Sequence, residues 1–166
     1  MAIAVYPGSF DPIHLGHMDI TRRAAALFDH VYFAIYARPH KNLLFSVEER
    51  LRLAQEALAD LENVSVVSYR ELTVDLARRL GAHVIVRGLR AISDFEWELQ
   101  LALTNRELAP DIEVVCLMTR IEYAFLSSTI VKEVASLGGD IDKMVPPNVA
   151  RALRERFPLP TSEPAP

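Results

Sequence analysis

Five short apolar runs recur along the chain, separated by segments with helical periodicity. The runs cover residues 2–6, 31–37, 64–67, 83–87 and 112–118, and several are rich in Val, Ile or Tyr. Because they are too continuous for half-exposed alternating strands, they predict buried strands. Strands that alternate with helices predict an α/β protein with a doubly wound, five-stranded parallel sheet.

Start and stop signals mark the predicted helices. Capping boxes begin at Ser46 and at Ser93, each with a glutamate three residues later. The second box predicts a helix that runs to about Leu108, before Pro110. Ser127 heads a polar cluster suited to cap a helix over residues 130–137. Two prolines start a last helix, which runs to about residue 157.

Four polar loops follow predicted strands, at residues 7–16, 38–44, 88–93 and 119–129. In parallel sheets ligands bind beyond the carboxyl ends of the strands, so these loops should surround one site. The first loop lies in the stretch YPGSFDPIHLGH, residues 6–17. Its glycines allow close approach to a ligand, and a helix start presents unpaired N–H groups, which together indicate a phosphate site. The alternative is an ordinary strand-to-helix turn.

Length and composition fit one domain with its own core over residues 1–157, followed by a Pro-rich tail, residues 158–166, that is predicted to be disordered. The net charge of -4 and the pI near 5.7 argue against nucleic-acid and polybasic membrane partners. No apolar run could span a bilayer and no signal peptide is evident, which predicts a cytoplasmic protein. The single cysteine, Cys116, excludes an internal disulfide and is expected in the core.

Three cations stand in the predicted binding loops. Lys41 follows the second strand, and Arg87 and Arg90 leave the fourth. Their concentration on one edge of an acidic protein indicates a site for phosphate groups. The alternatives are a solvated lysine and arginines engaged in ion pairs with nearby carboxylates such as Asp94 or Glu98.

Other polar and aromatic residues leave more than one interpretation open. His14 and His17 suit phosphate donors better than zinc ligands, for which Asp11 is the one nearby companion. Trp97 and Tyr123 could stack on a base, although core or interface packing is favoured for Trp97. Neither a nucleophile set nor a Walker loop is evident, so the chemistry implied is positioning and charge stabilisation of phosphates.

Three motifs together resemble a known family. Residues 14–17, HLGH, resemble the H-x-G-H signature of the nucleotidylyltransferase superfamily, and residues 127–129 with Lys132 are similar to its S-S-T-x-x-[RK] signature. Residues 87–90, RGLR, followed by AISDFEWE, narrow the resemblance to bacterial phosphopantetheine adenylyltransferases. The resemblance covers residues 2–157 and implies a Rossmann-like nucleotidylyltransferase fold. It also implies adenylyl transfer from ATP to 4′-phosphopantetheine, giving dephospho-coenzyme A and pyrophosphate in coenzyme A biosynthesis.

The same resemblance implies roles for individual residues. Catalysis would fall to His17, Lys41 and Arg90. ATP would be bound by Ser9, Phe10, His17, Gly88, Leu89, Arg90, Glu98, Tyr123, Ala124, Phe125, Leu126, Ser127, Ser128 and Thr129. Phosphopantetheine would be bound by Ser9, Lys41, Thr73 and Arg87. Mg²⁺ is the implied cofactor, without a predicted set of protein ligands, and a homohexamer is the implied assembly.

Some positions depart from the family pattern. Ser9 stands where many members have threonine, Tyr123 replaces a common tryptophan, and His14 is often threonine in relatives. Two other functions stay open at this point. One is a nucleotidylyltransferase that acts on nicotinamide mononucleotide or on a sugar or glycerol phosphate. It would share the H-x-G-H and S-S-T-x-x-[RK] signatures, but the RGLR motif at residues 87–90 argues against it. The other is a non-catalytic nucleotide-binding module, which would not require Lys41, Arg87 and Arg90 together.

Overall fold

The computed structural model describes residues 1–37 and 42–158, apart from the side chains of Ile92 and Ser93. Five strands form one parallel sheet in the order β3-β2-β1-β4-β5. The strands are β1 (Ile3–Gly8), β2 (His30–Tyr36), β3 (Val64–Tyr69), β4 (Val84–Leu89) and β5 (Glu113–Met118). Because the chain moves outward from β1 to β3 and then returns to β4 on the other side, the predicted doubly wound α/β architecture is confirmed.

Helices connect the strands and cover both faces of the sheet. They are α1 (Leu15–Leu27), α2 (Val47–Ala57), α3 (Thr73–Arg79), α4 (Ile92–Leu108), α5 (Ser128–Ser136) and α6 (Pro147–Arg156), with a 3-10 turn at Ile121–Tyr123. One apolar cluster contains Phe33, Ile20 and Leu126, and a second contains Val5 and Leu76. No helix in the described ranges is long and apolar enough to cross a membrane.

The capping predictions fared differently at the three helices. Ser46 forms the expected capping box with Glu49, and Ser127 caps α5. The box predicted at Ser93 is wrong, because α4 already begins at residue 92 and its N-cap is Ala91. The carboxylate of Asp94, in the first turn of α4, instead accepts the backbone N–H of Arg90, just before the helix.

Burial differs across the sheet more than the apolar runs predicted. β1 and β2 are largely buried, whereas β3 and β5 lie at the edges and are partly exposed. Cys116 lies on β5 and is exposed, so its expected place in the core is wrong. The physical reason is that β5 has a neighbouring strand on one side only. Of the predicted C-terminal tail, only Pro158 belongs to the described residues.

Candidate active site

A cavity of about 360 Å³ lies at the carboxyl ends of β1 and β4. It is bordered by parts of three of the four loops that were expected there. Ten of the predicted site residues lie on its wall: Ser9, Phe10, His17, Arg87, Gly88, Arg90, Glu98, Tyr123, Ser127 and Ser128. The fourth loop includes Lys41, which lies outside the described residues, so the role predicted for it stays a prediction.

The other predicted residues in the described part of the chain do not lie on the wall of this cavity. They are Leu89, Ala124, Phe125, Leu126 and Thr129, together with Thr73. Leu126 is fully buried in the core, and its carbonyl accepts a hydrogen bond of 2.8 Å from Arg90 Nη1. Thr73 lines a smaller cavity of about 70 Å³, which shares Pro7, Arg87 and Glu98 with the larger one.

Two histidines cap the helix that starts at the cavity. His14 Nδ1 accepts the backbone N–H groups of Gly16, at 3.0 Å, and His17, at 3.3 Å. His17 Nδ1 accepts the backbone N–H of His14 at 3.2 Å, and the two rings stack with 3.5 Å between centroids. A Cβ at Gly16 would lie 2.9 Å from His14 Cε1, so the close approach of the ring requires glycine there.

This reciprocal capping determines where each imidazole carries its proton. Since Nδ1 accepts a hydrogen bond in both rings, the proton of each neutral ring is on Nε2. Burial, helped by the charge of Arg90, lowers the pKa of His14 to about 3. Burial and then the neighbouring His14 and Arg90 hold the pKa of His17 well below its usual value. His17 therefore reaches the cavity as a neutral hydrogen-bond donor.

Phe10 holds the loop between β1 and α1 in an uncommon backbone conformation. Its φ is 47°, a left-handed value that is costly for an aromatic residue. The ring stacks on Phe33 with 3.9 Å between centroids and meets the His17 ring edge-on at 4.8 Å. A Cβ at Gly8 would lie 2.8 Å from Phe10 Cζ. These packing contacts therefore hold the loop between β1 and α1 in its uncommon conformation.

Arg87 is fixed between β4, α4 and the first loop. Its Nε and Nη2 each donate to the Glu98 carboxylate at 2.8 Å, and its Nη1 donates to the Pro7 carbonyl at 3.0 Å. Burial alone would lower the pKa of Arg87, but the hydrogen bonds and charge of Glu98 outweigh it and raise that pKa. The arginine stays charged with one face on the cavity wall.

Arg90 joins the start of α4 to the segment before α5. Its Nε donates to Asp94 at 3.0 Å, in addition to the Nη1 bond to the Leu126 carbonyl. Burial raises the pKa of Asp94, but the hydrogen bonds from Arg90 outweigh it and lower that pKa. The ion-pair alternative considered for the two arginines is therefore real, and both side chains also line the cavity.

The N-terminus of α5 also borders the cavity. Ser127 Oγ accepts the backbone N–H of Ile130 at 3.1 Å, and Ser128 Oγ donates to the Pro12 carbonyl at 2.9 Å. Both serines lie on the wall. The first helical turn of α5 is therefore tied to the loop after β1, which places two helix N-termini at one cavity, the arrangement that suits phosphate groups.

The wall also contains residues to which no individual role was assigned at the level of sequence, among them Tyr6, Asp94 and Thr119. Tyr6 and Thr119 nevertheless belong to stretches that were expected at this edge, residues 6–17 and 119–129. Trp97 also lines the cavity and is 59% exposed, so core packing within one chain, one of the favoured interpretations, is wrong for it.

The described residues around the cavity do not form a protein-held metal site. No group of three or more His, Cys, Asp or Glu side chains within residues 1–37 and 42–158 is arranged to hold an ion. The two carboxylates on the wall, Asp94 and Glu98, are both paired with arginines. Magnesium is commonly bound mainly through substrate phosphates and water, and only that mode fits the residues present.

A parallel sheet whose carboxyl edge gathers two helix N-termini, a neutral histidine donor and two arginines defines a nucleotidylyltransferase-like protein. A model of the cytidylyltransferase-like family matches residues 5–134. The fold is similar to the crystal structure named "Putative Nicotinate-nucleotide Adenylyltransferase" from Vibrio parahaemolyticus. The TM-score is 0.72, with 20% identity, and the match covers 92% of this chain and 99% of that one. At this identity the likeness establishes the fold.

Relatives with similar sequences specify the family further. Phosphopantetheine adenylyltransferase from Chloroflexus aggregans is 55% identical over 157 residues, which are 95% of this chain and 98% of the relative. The proteins of the same name from Roseiflexus sp. and Gloeobacter violaceus are 53% and 54% identical, over 95% and 93% of this chain and 98% and 96% of their own lengths. The chain belongs to the phosphopantetheine adenylyltransferase family, as its motifs indicated.

Proposed function

We propose that this chain transfers the adenylyl group of ATP to 4′-phosphopantetheine, giving dephospho-coenzyme A and pyrophosphate. The observation that supports this most is that ten residues assigned by family resemblance surround one cavity. The identity of 55% over nearly the full length of a phosphopantetheine adenylyltransferase adds the substrate class. Arg87 and Arg90 supply the positive charge that two anionic substrates need.

The reaction we propose is a direct displacement. A phosphate oxygen of 4′-phosphopantetheine forms a bond to the α-phosphorus of ATP, and the bond to the oxygen that bridges to the β-phosphate breaks in line. Its electron pair leaves with pyrophosphate, and no covalent enzyme intermediate forms. Charge that grows on the oxygens around phosphorus is stabilised by donors already in place, which lowers the barrier more than it strengthens substrate binding.

Individual residues take separate parts in this scheme. His17 donates from Nε2 to an oxygen of the transferred phosphate, and Arg90 offsets negative charge on the ATP side. Arg87, and by resemblance Lys41, hold the phosphate of 4′-phosphopantetheine, whose pantetheine arm extends toward Thr73. The support for this division is that Arg87 lies on the wall common to the two cavities, whereas Arg90 is bonded to the segment before α5.

In this proposal, backbone groups and the end of a helix complete the binding site for ATP. Gly88 brings the chain close to the nucleotide, because it presents no Cβ toward the cavity. Ser127 and Ser128 place the N-terminus of α5 near the outer phosphates. Mg²⁺, carried by the ATP phosphates, supplies charge neutralisation when bound. This chain's part is to hold those phosphates from the opposite side through its N–H groups and cations.

A homo-oligomer is also part of the proposal, with the hexamer suggested by family resemblance. The support is an exposed apolar surface on α4, where Phe95, Trp97, Leu103 and Leu108 are all more than half exposed. Met118, at the end of β5, is 69% exposed. Surfaces of this kind commonly mark contacts between proteins. Light scattering of the purified chain measures the assembly directly, and a monomeric mass contradicts this part of the proposal.

Pyrophosphate release from ATP with magnesium and a panel of phosphate acceptors tests the activity. The panel contains 4′-phosphopantetheine, nicotinate mononucleotide, nicotinamide mononucleotide, glycerol 3-phosphate and a sugar phosphate. We expect rapid release with 4′-phosphopantetheine and little with the others. Release with another acceptor points to a different nucleotidylyltransferase. A protein that binds ATP and releases no pyrophosphate with any acceptor is a non-catalytic module, and either result contradicts the proposal.

A further inference from the structure

Behind the cavity lies a buried carboxylate that the proposed mechanism does not use. Asp11 is 2% exposed and is absent from the residues that line the cavity. Its Oδ2 accepts the backbone N–H of Leu44 at 2.9 Å and Lys132 Nζ at 2.8 Å, and its Oδ1 accepts the backbone N–H of Phe45 at 2.9 Å. One side chain thus joins the loop after β1, the segment before α2, and α5.

A buried arginine extends this junction to the end of β2. Arg50 is 2% exposed, and its Nη1 donates to the carbonyls of Ser9, at 2.7 Å, and Tyr36, at 2.9 Å. Its Nε donates to the Phe45 carbonyl at 3.2 Å. The chain on either side of residues 38–43 is therefore attached to the loop that carries Ser9, once through Tyr36 and once through Phe45.

The lysine of the S-S-T-x-x-[RK] signature, Lys132, is bonded to Asp11. It lies one turn after Ser128 on α5 and does not line the cavity. The side chain of Lys132 is 26% exposed, against 3% for Asp11. In this chain the lysine therefore ties α5 to the loop after β1, in parallel with the bond from Ser128 to the Pro12 carbonyl.

We propose that Asp11 is a positioning residue that sets the distance between the two substrate halves of the site. Through Lys132 it locates α5, whose N-terminus borders the ATP half. Through the N–H groups of Leu44 and Phe45 it fixes its own loop, which carries the predicted phosphopantetheine ligand Ser9, against the segment before α2. Both halves of the site therefore share a single buried anchor. This inference rests on the proposed function, because its effects are measured as substrate constants.

Conservative substitutions at Asp11 and Lys132 should disturb this buried ion pair. Asp11→Asn keeps the size of the side chain but offers one acceptor oxygen to three donors, which leaves donors without partners in a buried place. Lys132→Met removes only the bond to α5 and keeps the length of the side chain. Because a displacement of about 1 Å at a phosphoryl-transfer site can cost on the order of 10²-fold in rate, both substitutions should be visible in the kinetics.

Steady-state kinetics of the full chain, with each substrate varied in turn, test the inference. In Asp11→Asn we expect KM to rise for both ATP and 4′-phosphopantetheine and kcat/KM to fall about 10²-fold. In Lys132→Met, KM should rise mainly for ATP. In Lys132→Arg, the KM for ATP should be close to that of the unsubstituted chain. The double variant should lose less than the product of the single losses, because removing both partners leaves no lone buried charge.

Matched controls use the same chemical changes away from the site. Asp142 forms an exposed ion pair with Arg154, and Lys143 is exposed, so Asp142→Asn and Lys143→Met should leave both KM values unchanged. Circular dichroism and the melting temperature report folding for every variant. A purely structural role lowers the melting temperature or the active fraction, and hence kcat, without changing either KM.

Unchanged KM values in a folded Asp11→Asn variant overturn the inference, as does a Lys132→Met variant whose ATP constant is that of the unsubstituted chain. If Asp11→Asn does not fold, the KM for ATP in Lys132→Met and Lys132→Arg tests the inference without it. Failure of the proposed function is distinguishable, because the unsubstituted chain then gives no pyrophosphate with 4′-phosphopantetheine, whatever its variants do.

Discussion

The two walls of the cavity are held in different ways. The wall after β1 is fixed within the chain, because Phe10 and His14 are about 95% buried and Asp11 anchors the loop between them from behind. The wall on α4 has an exposed outer side, where Phe95 and Leu103 are 51% and 61% accessible. The comparison indicates that groups needing accurate placement in the transition state sit on the fixed wall. Under the proposed homo-oligomer, substrate contacts on α4 depend on the neighbouring chain that covers its outer side.

Loss of His17 should have the largest effect on the fixed wall. We expect His17→Ala to lower kcat by about 10²–10³, as found when one transition-state donor is removed, with little change in ATP affinity. Turnover and calorimetric ATP binding measure the two quantities. The exposed His83 provides the control His83→Ala. A kcat like that of the unsubstituted chain would remove His17 from the mechanism.

The geometry that presents His17 can be disturbed without removing it. In Gly16→Ala the new Cβ would lie 2.9 Å from His14 Cε1 and 3.0 Å from Nδ1, so the capping ring must move. We expect kcat/KM to fall about 10²-fold. Gly81→Ala is the control, because Gly81 has φ +68 and open space around it, far from the site. That variant should lose about 1–2 kcal/mol of stability and keep its kcat.

The α4 wall should respond to a charge on its outer side. In Leu103→Asp we expect the oligomer to dissociate, because an unpaired carboxylate cannot be buried in an apolar contact. The kcat/KM should fall by a smaller factor than in Gly16→Ala, since α4 loses its outer packing but keeps Glu98 on Arg87. Light scattering and kinetics measure both. Leu137→Asp, at an exposed position after α5, should change neither, and an intact oligomer in Leu103→Asp would contradict the account of this wall.

The last prediction concerns stability and pH. His14 has a pKa of about 3 in the folded chain and about 6.5 when unfolded, so the unfolded chain takes up the proton first as the pH falls. Its contribution to stability is complete above pH 6.5 and is lost as the pH falls toward 3, by at most about 1.4 kcal/mol per pH unit. Urea unfolding of His14→Asn, which keeps a capping acceptor, should show a smaller slope across this range. Parallel slopes for the two proteins would contradict the low pKa.

The sequence predicted the architecture well because hydrophobic periodicity determines which segments become strands and helices. It also predicted that the loops after β1, β4 and β5 meet, since parallel strands end at one edge. It did not predict the exposure of Cys116, because an apolar run on an edge strand has the same pattern as one in the middle of a sheet. The ion pair between Lys132 and Asp11 could not be predicted either, since the two residues are 121 positions apart in the chain. Pairings of that kind depend on tertiary packing.

The most direct test of the account is the stereochemistry of the transfer. ATP with a single sulfur on the α-phosphate, in one configuration, is converted with 4′-phosphopantetheine, and the configuration at phosphorus is determined in the dephospho-coenzyme A product. Direct in-line attack, with His17 as a hydrogen-bond donor, predicts inversion. Retention would mean two displacements through a covalent intermediate, with His17 itself a candidate nucleophile, and would contradict the central claim that this site acts by positioning its substrates.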